Sequence, residues 1–205
     1  MTDLGFIHRY IPATQPGLPP LLLLHGTGGD ENDLIPLGQK LSPGSALLSP
    51  RGDVSERGAR RFFARLAEGV FDPAEVAQRT HALADFVAAA SRRYGFDPTR
   101  LTAIGFSNGA NIVSTLLLLR PASLARAVLL RPMVVLEPEK LPDLSGKTVL
   151  ISSGASDPIV PHDHPVQLAH LLESAGARVS RHMQPAGHSL GPGDFSLTRD
   201  FLLRR

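Results

Sequence analysis

Ser107 stands at the centre of Gly105-Phe106-Ser107-Asn108-Gly109. That pentapeptide matches G-x-S-x-G, the pattern of a strand that turns abruptly into a helix with a serine at the bend. A serine hydroxyl is a weak nucleophile until a base takes its proton, and the base needs a third group to orient it. Chains built on this bend carry the three in the order serine, acid, histidine. Downstream of Ser107, Asp157 lies in Ser152-Ser153-Gly154-Ala155-Ser156-Asp157-Pro158, a loop directly after an apolar run. His188 lies in Pro185-Ala186-Gly187-His188-Ser189, between a strand-like segment and the last helix. Glu137 and Asp143 precede the apolar run, and Asp163 reads as a helix start. His182 falls inside a strand and His170 inside a helix. The expected roles are therefore Ser107 as nucleophile, Asp157 as acid and His188 as base. The flanking glycines are expected to remove side chains that would collide with a serine held in a strained conformation.

Attack on a carbonyl builds negative charge on its oxygen, and each donor that meets it lowers the barrier by about 3 kcal/mol. The N–H of Asn108, next to the nucleophile, is one expected donor. The other is expected from His25-Gly26-Thr27-Gly28-Gly29-Asp30, with Thr27 as the choice and His25 as a structural residue. A dinucleotide turn would need a third glycine, but counting G-x-G-x-x-G from Gly26 puts Glu31 there, and no G-K-[ST] follows for a phosphate loop. Two readings stay open for Arg51, Arg57, Arg60, Arg61 and Arg65 with Phe62, Phe63 and Phe71. They form either a solvated helix face with an apolar side, or a pocket wall offering guanidinium groups to an acidic or phenolic substrate. The second makes Arg61, Phe62, Phe63 and Phe71, with Met133 from a later loop, candidate substrate contacts. His162-Asp163-His164 reads as a helix entry, because two histidines in a loop lack the further ligands a metal needs.

These residues need elements to position them. Leu21–Leu24 is wholly apolar, as in a strand buried on both faces. Similar segments are expected at 46–49, 101–104, 127–130, 148–152 and 178–183, with helices over 74–94, 108–119, 165–175 and 194–204. Strands alternating with helices of that length imply βαβ units: an α/β fold with a mostly parallel central sheet and helices on both faces. One domain over 1–205 is expected, with 51–72 its least regular stretch.

Composition narrows the function classes. There is no cysteine, so disulfides, thiolate metal sites and a cysteine nucleophile are excluded. A formal charge of +2, with acidic residues among the clustered arginines, argues against nucleic acid. No apolar run is long enough to span a bilayer, and Met1-Thr2-Asp3-Leu4-Gly5 lacks the basic-then-apolar order of a signal peptide. A cytoplasmic protein is the expectation.

On its motifs the chain resembles the phospholipase/carboxylesterase family of small α/β-hydrolases, which includes acyl-protein thioesterases. The matching pieces are Leu22–Glu31, Gly105–Asn111, Ser153–Pro161 and Gly187-His188, in order over nearly the whole chain. Ser49-Pro50-Arg51-Gly52, Arg61-Phe62-Phe63 and Glu68–Asp72 look most like bacterial esterases linked to hydroquinone stress. The resemblance implies an α/β-hydrolase fold without a large lid, no cofactor, no metal and possible homodimers. It also implies Ser107, Asp157 and His188 as the triad, and N–H donors at Thr27 and Asn108. Thioesterases of that family usually have Gln and Gly where this chain has Asn108 and Ala110. The implied activity is cleavage of small carboxylic esters. Thioester or lysophospholipid cleavage, and a non-catalytic receptor built on the same fold, are the alternatives.

Overall fold

β2 (Leu21–Leu24) is apolar at every position because two separate cores meet on it. In a strand, successive side chains point to opposite faces. Leu22 and Leu24 join the larger core and Leu21 and Leu23 the smaller. The computed structural model describes residues 4–204; Met1, Thr2 and Asp3, part of the stretch read for a leader, lie outside the described residues, as does Arg205.

Among the described residues the sheet has seven strands. β1 (His8–Ile11) lies at one edge, beside β3 (Leu47–Pro50). β2 comes next, then β6 (Thr102–Phe106), β7 (Arg126–Leu130), β8 (Thr148–Gly154) and β9 (Arg178–Gln184) at the other edge. β1 runs antiparallel to β3, and all other pairs are parallel. On one face the larger core joins the sheet to α2 (Pro73–Tyr94), α3 (Asn108–Leu119) and α4 (His164–Ser174). On the other, the smaller core joins it to α1 (Ile35–Leu41) and α5 (Pro192–Leu203). This is the α/β-hydrolase architecture that the alternation of elements implies, and among the described residues no large lid covers it.

Helix ends follow local chemistry. Asp72 accepts the Ala74 N–H at 2.9 Å, Pro73 fills the first helical position where an N–H has no partner, and α2 stops at Gly95 in the left-handed conformation, φ +71°.

Residues 51–72 hold no helix, so the solvated-helix reading of the arginine cluster is corrected. β4 (Val54–Glu56) and β5 (Ala59–Arg61) form an antiparallel hairpin instead. Its two central residues, Arg57 and Gly58, both have positive φ, +50° and +87°. Tight hairpins prefer that handedness, but with Asn-Gly or Asp-Gly, and an arginine there gives no turn signal. Arginine pays a steric penalty at positive φ that asparagine largely avoids. Because Arg57 is exposed, Arg57→Asn should raise unfolding free energy by up to about 1 kcal/mol in urea titration, and an unchanged or lower value would refute the strained-turn account.

Candidate active site

Ser107 ends β6 and precedes α3 with φ +53° and ψ −117°, a conformation that costs a non-glycine residue on the order of 1–3 kcal/mol. The backbone closes so tightly here that a Cβ on Gly105 would lie 2.4 Å from the Gly109 carbonyl oxygen. A Cβ on Gly109 would lie 2.0 Å from the carbonyl oxygen of Leu24. The flanking glycines therefore answer to backbone crossing backbone, not to a clash with the serine side chain as the motif alone suggests. The Ser107 N–H donates to Leu130 O at 2.8 Å, which anchors the bend on β7. Asn108 is the first residue of α3, where N–H groups have no intrahelical acceptor.

Asp157 follows β8, and His188 follows β9, so both come to the carboxyl edge of the sheet beside Ser107. His188 Nε2 lies 2.9 Å from Ser107 Oγ, and its Nδ1 lies 2.8 Å from Asp157 Oδ2. Asp157 is buried, which opposes its charged form. The N–H groups of Ile159 (2.9 Å) and Val160 (3.2 Å) and the His188 ring outweigh that cost and hold the carboxyl below the ordinary carboxylate range. A carboxylate only accepts, so Nδ1 carries the proton toward Asp157 and Nε2 is left to accept from the serine hydroxyl. The loops that carry Asp157 and His188 are tied by Ala155 N–H to Gln184 O (2.9 Å) and Ser156 N–H to Ala186 O (3.0 Å). Of the rival residues, Asp143 caps Ser145, Asp163 binds Gln167 and His182 meets Ser180.

The hairpin holds the remaining walls. Arg60 O accepts the Gly28 N–H at 2.9 Å, and Arg61 Nη1 donates to Thr27 Oγ1 at 2.6 Å. The Phe62 N–H donates to the Asn108 side-chain oxygen at 2.7 Å. One short segment thus binds both Thr27 and Asn108. His25 lies beneath it, with Nε2 accepting the Gly52 N–H at 3.0 Å and Nδ1 therefore donating to Gly26 O at 2.7 Å. Burial pushes its pKa down and keeps the ring neutral, as this bonding needs.

A cavity of about 270 Å³ opens over Ser107 and His188. Thr27, Asn108, Arg61, Phe71 and Met133 line it. Phe62 and Phe63 do not, and their candidacy as substrate contacts is corrected. They are 1% and 0% exposed and sit one layer back, Phe62 against the His25 ring and Phe63 edge-on to Phe71. Arg65, which the pocket-wall reading of the arginine cluster includes, also lines it, and Glu68, Gly69, Phe106, Asn111 and Ile159, outside the expected substrate contacts, complete the lining. Asn111 was within reach of sequence reasoning, since a residue four on from Ser107 falls on the same face of α3. It fixes Met133 by accepting its N–H at 2.8 Å. His164, from the histidine pair, accepts the Val134 N–H at the start of α4. Among the described residues no cluster of three or more His, Cys, Asp or Glu could hold a metal ion. Among them, too, no helix is long and apolar enough to cross a membrane.

A sharp serine bend at the carboxyl edge of this sheet places the molecule among the α/β-hydrolases. Residues 52–191 match the dienelactone hydrolase family, and the chain belongs to that family of hydrolases. MhqD of Bacillus subtilis (strain 168) is 41% identical over 181 residues, 88% of this chain and 90% of that protein. The Bacillus cereus carboxylesterase superposes with a TM-score of 0.94 at 41% identity, over 97% of this chain and 93% of that one. A carboxylesterase from Mesorhizobium loti gives 0.92 at 36% identity, over 100% and 98%.

The elbow makes a direct prediction. Gly109→Ala forces a methyl group into the Leu24 carbonyl and should lower unfolding free energy by at least about 2 kcal/mol, read by urea titration; a change under about 0.5 kcal/mol would show that the crossing relaxes freely. A second concerns pH. Because the folded state holds Asp157 below its unfolded pKa, its contribution to stability is complete above about pH 5 and is lost as pH falls through the lowered value. Unfolding free energy should therefore fall on acidification toward about pH 3, and less steeply in Asp157→Asn; parallel curves would remove Asp157 from the acid response.

Proposed function

We propose that this hydrolase cleaves small carboxylic esters through an acyl-serine intermediate. The observation that carries the reading is the unbroken chain from Ser107 Oγ to His188 to Asp157, at 2.9 and 2.8 Å, on a serine held at positive φ. His188 Nε2 takes the Ser107 proton as Oγ attacks the ester carbonyl. Asp157 holds the tautomer and offsets the charge of the imidazolium. The N–H groups of Thr27 and Asn108 receive the oxyanion. His188 then gives its proton to the leaving alcohol oxygen, the tetrahedral adduct collapses, and the acyl group stays on Ser107. Water deprotonated by His188 attacks that ester, and the acid leaves with Ser107 reprotonated.

The cavity, about 270 Å³, is at the small end for ligand sites and suits an acyl or aryl group of a few carbons. Phe71 and Met133 supply its apolar wall, and Arg61 a guanidinium at the rim of the Thr27 loop. The naming of two similar solved structures as carboxylesterases supports the same substrate class.

The test is p-nitrophenyl acetate hydrolysis with fluorophosphonate labelling. Wild type should turn over and be modified at Ser107, and Ser107→Ala should lose both. Asp157→Asn should lower kcat by roughly 10⁴-fold by removing the tautomer control. Full activity in Ser107→Ala, or an unaltered rate in Asp157→Asn, would overturn the assignment.

A further inference from the structure

Among the described residues Arg131 is the largest fully buried side chain, and its φ is +57°, in the left-handed region. No step of the ester chemistry uses it. All five of its N–H donors are nevertheless engaged. Nη1 and Nη2 meet the two Asp194 oxygens at 2.8 and 2.9 Å, and Nη1 also reaches Ser152 O at 3.3 Å. Nε donates to Gly187 O at 2.9 Å and Nη2 to Ser189 O at 3.0 Å. The last two carbonyls belong to the residues on either side of His188. Asp194 is as fully engaged, accepting also from Ser152 Oγ at 2.6 Å and from the Gly191 N–H at 2.8 Å. It sits in the first turn of α5, at the end of the loop that carries His188.

A buried ion pair of this kind is weak evidence for stability, because hydrophobic residues of similar volume often fold as well. What such residues could not do is hold two carbonyls at fixed positions. Leu130, the neighbour of Arg131, accepts the Ser107 N–H at 2.8 Å. The end of β7 therefore grips both partners: the nucleophile through a backbone carbonyl, and the base through a side chain that straddles its peptide units. We propose that Arg131, anchored by Asp194, is a positioning residue that sets the His188 ring against Ser107. The proposal rests on the esterase reading for its kinetic consequence, but the grip on the His188 loop does not.

Two variants separate grip from bulk stability. Arg131→Lys keeps a charge for Asp194, but a single ammonium lacks the planar fork that spans both carbonyls. The double change Arg131→Met with Asp194→Leu replaces the pair by apolar groups and leaves neither charge buried alone. Each is measured for melting temperature, kcat and KM on p-nitrophenyl acetate, and His188 ring signals in ¹⁵N-histidine NMR. The expected result, well below the melting temperature, is a kcat lowered roughly tenfold to hundredfold with KM little changed, as for a reacting group displaced by about 1 Å. The His188 signals should broaden or double where wild type shows one sharp set. If the double variant does not fold, Arg131→Lys decides. A folded variant with wild-type kcat and wild-type His188 signals overturns the proposal, and a lowered melting temperature alone would mark the pair as structural only. If wild type neither cleaves esters nor takes the fluorophosphonate label, the esterase reading fails, while the NMR comparison still decides whether Arg131 holds the histidine.

Discussion

The contact on which the rest of the site depends is the approach of α3 to the end of β2. At Gly109 the helix backbone comes so near the Leu24 carbonyl that no side-chain carbon fits between them. A helix entering at that distance must leave β6 through a turn tighter than ordinary residues adopt. Ser107 absorbs the strain with its positive φ. Strain of this size persists only where the surroundings over-determine it. Here the parallel pairing of β2, β6 and β7 and the bond from Ser107 N–H to Leu130 O do so.

The sheet then makes proximity inexpensive. In a parallel sheet every connection at the carboxyl edge comes back to the same side, so loops far apart in sequence become neighbours. Ser107, Asp157 and His188 follow β6, β8 and β9, and Thr27 follows β2. Three polar connections convert that nearness into geometry. The hairpin segment binds Thr27 and Asn108, the Asp157 loop is laced to the His188 loop, and the Arg131–Asp194 pair closes on the carbonyls beside the histidine. Buried polar groups of this kind are costly unless every one is paired, which makes such networks strict about where their members sit.

Some of this was legible residue by residue. Both faces of β2 are buried, so its leucine run could not be mistaken for a half-exposed strand. α2 announces its start with Asp72-Pro73 and its end with Gly95. α2 to α5 and the central strands were placed to within about two residues because apolar periodicity and end signals act locally, whereas α1, seven residues with no side-chain cap at its start, was not expected. β1 carries only partly buried or exposed side chains, and β4 and β5 turn on Arg57-Gly58; neither feature leaves a pattern to read.

The sequence by itself determined the α/β order, the serine bend and the succession of Ser107, Asp157 and His188, because each depends on residues adjacent in the chain or on a fixed chain order. Only the tertiary structure decided which aromatic residues face the cavity. Phe62 and Phe63 turn inward while Phe71 lines the wall, an outcome set by the path of a hairpin against His25 and α2. It alone also joined Arg131 to Asp194, 63 positions apart, since a guanidinium at the end of an apolar strand carries no sign of its partner until both are buried in one place.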